Sequence, residues 1–218
     1  MIAIAIDGPS GAGKSSLARK AAERLGYIYV DTGALYRAVA LYVMEHEVDP
    51  EDPQAVSSCL PQLQIKIGYL DGVQHVYLNG RDVSEQIRVP QLSQIVSKVA
   101  ALPEVRAFLL GMQRELAREN NVIMDGRDIG VVVLPEAQVK IFLTARAEER
   151  ARRRHLEYVE KGEKIDYNKV LEDMAERDRR DAPRILRAPD AVLLDTTELD
   201  FAQSLDRLVK IIGQKIGK

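Results

Sequence analysis

The chain has 218 residues, 46% of them apolar and 29% charged, with 31 Lys and Arg against 33 Asp and Glu. At about 150 residues per domain this fits one domain with an insertion, long enough to bury roughly 70% of its unfolded surface. The net charge of −2 argues against a general nucleic-acid coat protein, the one cysteine (Cys59) excludes an internal disulfide and a multi-cysteine zinc site, and His46, His75 and His155 lack metal-ligand spacing.

In chain order, residues 2–7 (IAIAID) form a β-branched apolar run. It is too short for a secretory signal or a membrane span, and no later run nears about 20 apolar residues, so the chain is expected in the cytoplasm. A glycine-rich turn follows, then a helical stretch over 14–25 and a second apolar run, YIYVD (27–31). Strand, turn, helix and strand in this order mark a parallel βαβ unit. Helical patterns are expected at 34–47, 89–102, 104–120, 148–161, 168–181 and 201–216. Three further continuous apolar runs, NVIMD (121–125), VKIFLT (139–144) and AVLLDT (191–196), suit strands covered on both faces. The expected fold is α/β, a five-stranded parallel sheet with helices on both faces. Three of the five runs end in Asp followed by Gly or Thr, at the carboxyl edge where such sheets bind ligands. Segment 62–84 reads as two short antiparallel strands around Asp71-Gly72, with a second turn at Asn79-Gly80, a small insert in an otherwise parallel domain.

The turn after the first strand, GPSGAGKS (8–15), fits G-x-x-x-x-G-K-[ST] between a strand and a helix. Gly8, Gly11 and Gly13 permit the backbone conformations that turn successive N–H groups inward, and the helix start adds its positive end. Lys14 adds a point charge at the β- and γ-phosphates, and the Ser15 hydroxyl reaches the Mg²⁺ that bridges them. A loop of this kind alone fits a kinase, a GTPase or a motor. DTGALYR (31–37) ends the second strand, where Asp31 or Thr32 can cap a helix and Arg37 can hold the phosphate of a second substrate. DGRDIG (125–130) ends the third strand, with Asp125 placed to orient Mg²⁺ through water and Arg127 and Asp128 beside it. ERARRR (149–154), ERDRRD (176–181) and Arg184 make the richest cluster of charge. Two solvated helix faces or a nucleic-acid patch are the other readings, but no aromatic side chains interleave as stacking platforms. Several guanidiniums on mobile helices suit phosphoryl transfer, in which negative charge spreads over the transferring group. A guanine-reading N-K-x-D segment after a strand, which a GTPase switch needs, is not in the sequence.

Together GPSGAGKSS, DTGALYR, DGRDIG and ERDRRD with Arg184, in this order and spacing, resemble the bacterial cytidylate kinase family over essentially the whole chain, insert included. The resemblance implies a P-loop fold with a helical lid, and transfer of the γ-phosphoryl group of MgATP to CMP or dCMP. It implies a single kinase domain over 1–218, with a monophosphate-binding insert near 62–89 and a lid near 150–167. ATP would lie on Gly8, Pro9, Ser10, Gly11, Ala12, Gly13, Lys14, Ser15 and Ser16. Thr32 would lie near the sugar, and Arg37, Arg127 and Arg184 would hold the CMP phosphate. Ser97, Arg106 and Asp128 would read cytosine, and Arg177 and Asp181 would contact the ribose. Arg150 and Arg154 would be lid arginines, one toward adenine and one toward phosphates, with Lys14, Arg127, Arg154 and Arg184 the catalytic group. The segment between Arg184 and the last strand is shorter than the family's usual one. Nucleotides are the expected partners, with no nucleic acid, no membrane and a monomeric state. A small P-loop kinase acting on UMP, a coenzyme precursor or a small metabolite is the nearest alternative, and an RNA-binding adaptor is another.

Overall fold

Residues 1–89, 91–160 and 162–217 are described in a computed structural model. Pro90 and Lys161, which fall in the expected helices 89–102 and 148–161, lie outside the described residues. The chain forms two compact units, residues 1–29 with those from 121 onward, and residues 30–120.

The first unit opens with β1 (Ala3–Asp7), α1 (Lys14–Leu25) and β2 (Ile28–Asp31), the strand on which the chain passes into the second unit. In α1 the apolar positions Leu17, Ala18, Ala21 and Ala22 recur at helical spacing and are buried. Gly26 ends the helix in a left-handed conformation, its N–H returning to Ala22 and Glu23.

The second unit is built on α2 (Thr32–Glu45), nine of whose fourteen residues are buried. That is the pattern of a central helix, apolar nearly all round. It begins two residues before the expected start because the Asp31 carboxylate caps it, accepting from Ala34 N at 3.1 Å. Next comes α3 (Pro53–Cys59), which hydrophobic periodicity does not reveal. The insert is β3 (Ile65–Leu70), β4 (Val73–Leu78) and β5 (Arg81–Asp82), an antiparallel sheet of three strands rather than the two expected. Both of its turns fall where expected, with positive φ at Asp71, Gly72, Asn79 and Gly80. The third strand is two residues long, too short for any alternation to show. Helices α4 (Leu92–Val99) and α5 (Pro103–Glu119) complete the unit. Its core joins Leu35, Val39, Val76, Leu78, Leu92, Val105 and Leu109.

The chain returns through β6 (Val122–Gly126), a π-helical turn at Ile129–Val133, β7 (Val139–Thr144), α6 (Ala147–Glu160), α7 (Tyr167–Asp181), β8 (Val192–Asp195) and α8 (Phe201–Ile216). The five parallel strands take the order β2-β6-β1-β7-β8, with β1 central. Ile4, Ile6, Ile123, Ile141 and Leu143 from the strands pack with Leu17 of α1 and Leu205, Leu208 and Ile212 of α8. A smaller cluster, Ala151, Val170 and Met174, joins α6 to α7. With these flanking helices the sheet has the P-loop NTPase fold. No described helix is long and apolar enough to cross a membrane. The register sets Asp7 beside Gly126, so the turns that follow β1 and β6 leave the sheet at one edge.

Gly8, the first residue of the phosphate loop, has φ 146°, and a Cβ there would lie 1.9 Å from the Leu143 carbonyl oxygen of β7. Backbone, not a yielding side chain, fills that space. Gly8→Ala is therefore expected to destabilise the protein by about 3 kcal/mol or more. At Gly26, where φ is positive but nothing lies within 4 Å, alanine is expected to cost only about 1 kcal/mol. Urea unfolding of the two variants checks this, and equal midpoints would refute the close approach of loop and strand.

Candidate active site

In the first unit the phosphate loop ends at Gly13, which precedes α1 with φ 89° and gives it no side-chain cap. The first turn of α1 carries no acidic residue. By contrast α2, α3, α7 and α8 are capped by the carboxylates of Asp31, Asp52, Asp166 and Asp200. Amide donors and positive helix end are thus left for an external anion.

Lys14 is buried, and its ammonium donates to the Pro9 carbonyl at 2.8 Å. Burial, then the Arg127 charge, pulls its pKa down to about 7, against the opposing pull of Asp125 and Asp7. Ser15 Oγ donates to Asp125 Oδ2, and Tyr29 Oη to Asp125 Oδ1, each at 2.9 Å. The hydroxyl and carboxylate expected to serve Mg²⁺ therefore meet directly, and both are the hard oxygen donors that ion takes. Among the described residues no group of three or more His, Cys, Asp or Glu could hold a metal. Such a site suits an ion that keeps waters and shares phosphate oxygens. Ser16 is exposed, Ser10 is buried, and Pro9 is half-buried.

Arginines converge on Asp181 at the end of α7. Arg184 Nη2 donates to it at 2.6 Å, Arg127 Nε at 3.3 Å, and Arg177 Nε lies 3.8 Å away. Burial alone would raise the Asp181 carboxyl, but Arg127, Arg177 and Arg184 hold it below its ordinary value. Arg127 also donates to the Gly8 carbonyl at 3.2 Å, tying this cluster to the phosphate loop. Leu186 N donates to the Arg127 carbonyl, so the short connection after Arg184 lies against the same strand end. Asp128 is buried beside it and opens the π-helical turn.

The two expected lid arginines differ. Arg150 is buried, with Nη1 on the Ser10 carbonyl, Nε on the Ala145 carbonyl and Nη2 on Asp178, at 2.9, 3.0 and 2.7 Å. Arg154 pairs with Glu157 at 2.9 Å and lies over the Tyr158 ring. Three groups that sequence reasoning missed support the unit. Tyr29 holds Asp125, Arg153 bonds both the carbonyl and the hydroxyl of Thr196, and Asp7 accepts two amides of the π-helical turn. Asp7 carried a readable signal, since it ends a strand before a glycine just as Asp125 does.

In the second unit Thr32 is buried at the start of α2, and Arg37 Nη1 lies 3.8 Å from Asp31. Gln74 of the insert braces the same residue, accepting from Asp31 N at 2.8 Å and donating to its carbonyl at 3.3 Å. Ser97 is buried on α4, and Arg106 is half-buried on α5.

A strand-borne anion loop, a buried lysine at its end and guanidiniums tied to its carbonyl define a P-loop phosphotransferase. The sequence profile described as Cytidylate kinase matches residues 4–214. A cytidylate kinase of Carboxydothermus hydrogenoformans is 50% identical over 216 residues, covering 97% of each chain. One from Caldicellulosiruptor bescii is 47% identical, covering 96% of this chain and 95% of that one. The chain belongs to the cytidylate kinase family. Among solved structures, an uncharacterized protein from Eubacterium ventriosum superposes with a TM-score of 0.53 at 13% identity, covering 100% and 99% of the two chains, a likeness of fold alone.

Because Lys14 titrates lower in the folded protein than in the unfolded chain, its buried charge destabilises the ligand-free fold. That penalty is full below about pH 7 and is relieved as pH rises toward 10.5. Lys14→Met is expected to raise the melting temperature of the nucleotide-free protein at pH 7, with the gain shrinking toward pH 10. Thermal melts across that range check it, and a lower melting temperature for the variant throughout would overturn it.

Proposed function

We propose that the chain transfers the γ-phosphoryl group of MgATP to CMP or dCMP, giving ADP and CDP or dCDP. The observation that carries this reading is Arg127, which joins the Gly8 carbonyl of the phosphate loop to the arginine cluster on Asp181. A nucleotide switch has no need of a guanidinium cluster tied to its loop, whereas a kinase needs one to hold a second phosphate.

Gly8 to Ser16 bind the triphosphate through backbone donors, and Lys14 meets the β- and γ-oxygens. Ser15 and Asp125 would hold Mg²⁺. That ion would offset negative charge on the phosphates. Arg37, Arg127 and Arg184 take the acceptor's phosphate, Thr32 lies by its sugar, and Arg177 and Asp181 take its ribose. Ser97, Arg106 and Asp128 read the base. The Asp128 carboxylate suits the exocyclic amine of cytosine and repels the carbonyl of uracil at that place. Arg150 and Arg154 belong to the lid, near 150–167, and the insert near 62–89 serves the monophosphate, within one kinase domain. Transfer is in line with no covalent intermediate, so positioning and neutralisation of charge supply the catalysis. The protein works as a cytoplasmic monomer on nucleotides, without nucleic acid or membrane.

A coupled assay with each nucleoside monophosphate tests this. CMP and dCMP are expected to lead, and CMP no better than AMP or GMP would reject the assignment. Lys14→Ala and Arg184→Ala are each expected to cut turnover by about 10³-fold. Asp128→Ala is expected to lower the preference for CMP over UMP, and an unchanged preference would remove Asp128 from base reading.

A further inference from the structure

Asp7 ends β1 immediately before the phosphate loop and is only 4% exposed. Its carboxylate is spent on two backbone donors, Ile129 N on Oδ1 at 2.7 Å and Gly130 N on Oδ2 at 2.8 Å. Those amides open the π-helical turn that Asp128 precedes, and Asp128 gives that turn no side-chain cap. The cap comes instead from the neighbouring strand. On its other side the turn is closed by the Asp128 carbonyl, which accepts from Val131 N at 3.2 Å and Val132 N at 2.8 Å. The backbone that directly follows the Asp128 side chain is therefore held both by the neighbouring strand and by its own turn. Gly130 fits the close approach, since a Cβ there would lie 3.4 Å from Asp7 Oδ2 and 3.3 Å from Lys140 carbons.

A buried carboxylate is an expensive way to satisfy two amides. Burial pushes the Asp7 carboxyl up to about 6, and the neighbouring Asp128 charge adds to the rise, while the two amides and Lys14 oppose it. Two acceptor oxygens on one rigid strand end are what fixing adjacent N–H groups requires, and an amide side chain offers only one. We propose that Asp7 is a positioning residue for base selection: by clamping the amides of Ile129 and Gly130 it holds the Asp128 carboxylate where the pyrimidine is read. This rests on the base-reading role of Asp128. It adds that the selectivity of the acceptor site is anchored on the strand that launches the phosphate loop.

A double-mutant cycle on the full-length protein tests it, with the ratio of kcat/KM for CMP to that for UMP as readout. Asp7→Asn replaces one acceptor with a donor that faces an N–H. It is expected to lower the ratio roughly tenfold in the parent and to leave it unchanged in the Asp128→Ala background. A general loss of structure would depress both substrates alike and add in both backgrounds. Asp7→Glu, which keeps the charge and both acceptor oxygens but carries them one methylene further from the strand, is expected to shift the ratio the same way, and it decides the matter if Asp7→Asn does not fold. If Asp128→Ala lowers the ratio while Asp7→Asn or Asp7→Glu does not, the positioning role is wrong. If Asp128→Ala itself leaves the ratio unchanged, the base-reading assignment fails first and the positioning role with it.

Discussion

The structure turns on positive charge held out of water at the head of α1. A helix start without a capping side chain, and a buried lysine bonded to a loop carbonyl, make an unfavourable place in the isolated chain. The close-packed junction of Gly8 with β7 keeps the loop from relaxing into a more comfortable shape. An anion placed there would offset the cost of that charge. The surrounding side chains act on the lysine charge in both directions. Asp7 and Asp125 favour the lysine charge, and Arg127 and Arg177 oppose it.

Strand ends divide the remaining work. Three of the five parallel strands finish in aspartate and a fourth, β6, carries one a residue before its end, and no two of these carboxylates do the same job. Asp7 accepts from two amides of a neighbouring turn, and Asp31 caps α2. Asp125 gathers the hydroxyls of Ser15 and Tyr29, and Asp195 accepts from the amide and hydroxyl of Thr197. The sheet edge supplies the same backbone geometry each time, and the following residues decide what the acid does. The carboxylate before Gly-Pro clamps the turn after the neighbouring strand, and the one before Thr-Gly starts a helix.

This explains which parts of the molecule could be read from its residues. Among the described residues, all five parallel strands and seven of the eight α-helices lie where the periodicities place them, to within about three residues at either end. The eighth, α3, has a single buried residue in seven and so leaves no apolar stripe. Its sign was local, an Asp-Pro pair in which Asp52 caps and Pro53 takes the first helical position. The third insert strand is a local pairing across Asn79-Gly80 too short for alternation to show, and the π-helical turn is held by hydrogen bonds to the distant Asp7, which no window of sequence carries. Among the site residues, those of the loop and of DGRDIG follow from spacing. The arginines of α6 and α7 could be counted but not told apart. Only folding shows that Arg127, Arg177 and Arg184 meet on Asp181, while Arg154 pairs with its own helix neighbour.

Arg150 carries a mechanical consequence. Its guanidinium grips two carbonyls, one from the phosphate loop and one from the start of its own segment, together with an acid on α7. The guanidinium thus fastens α6 both to its helical partner and to the phosphate loop. Two of the three acceptors, Ala145 and Asp178, would travel with α6 and α7, so displacing the two helices as a pair costs the guanidinium only its bond to Ser10.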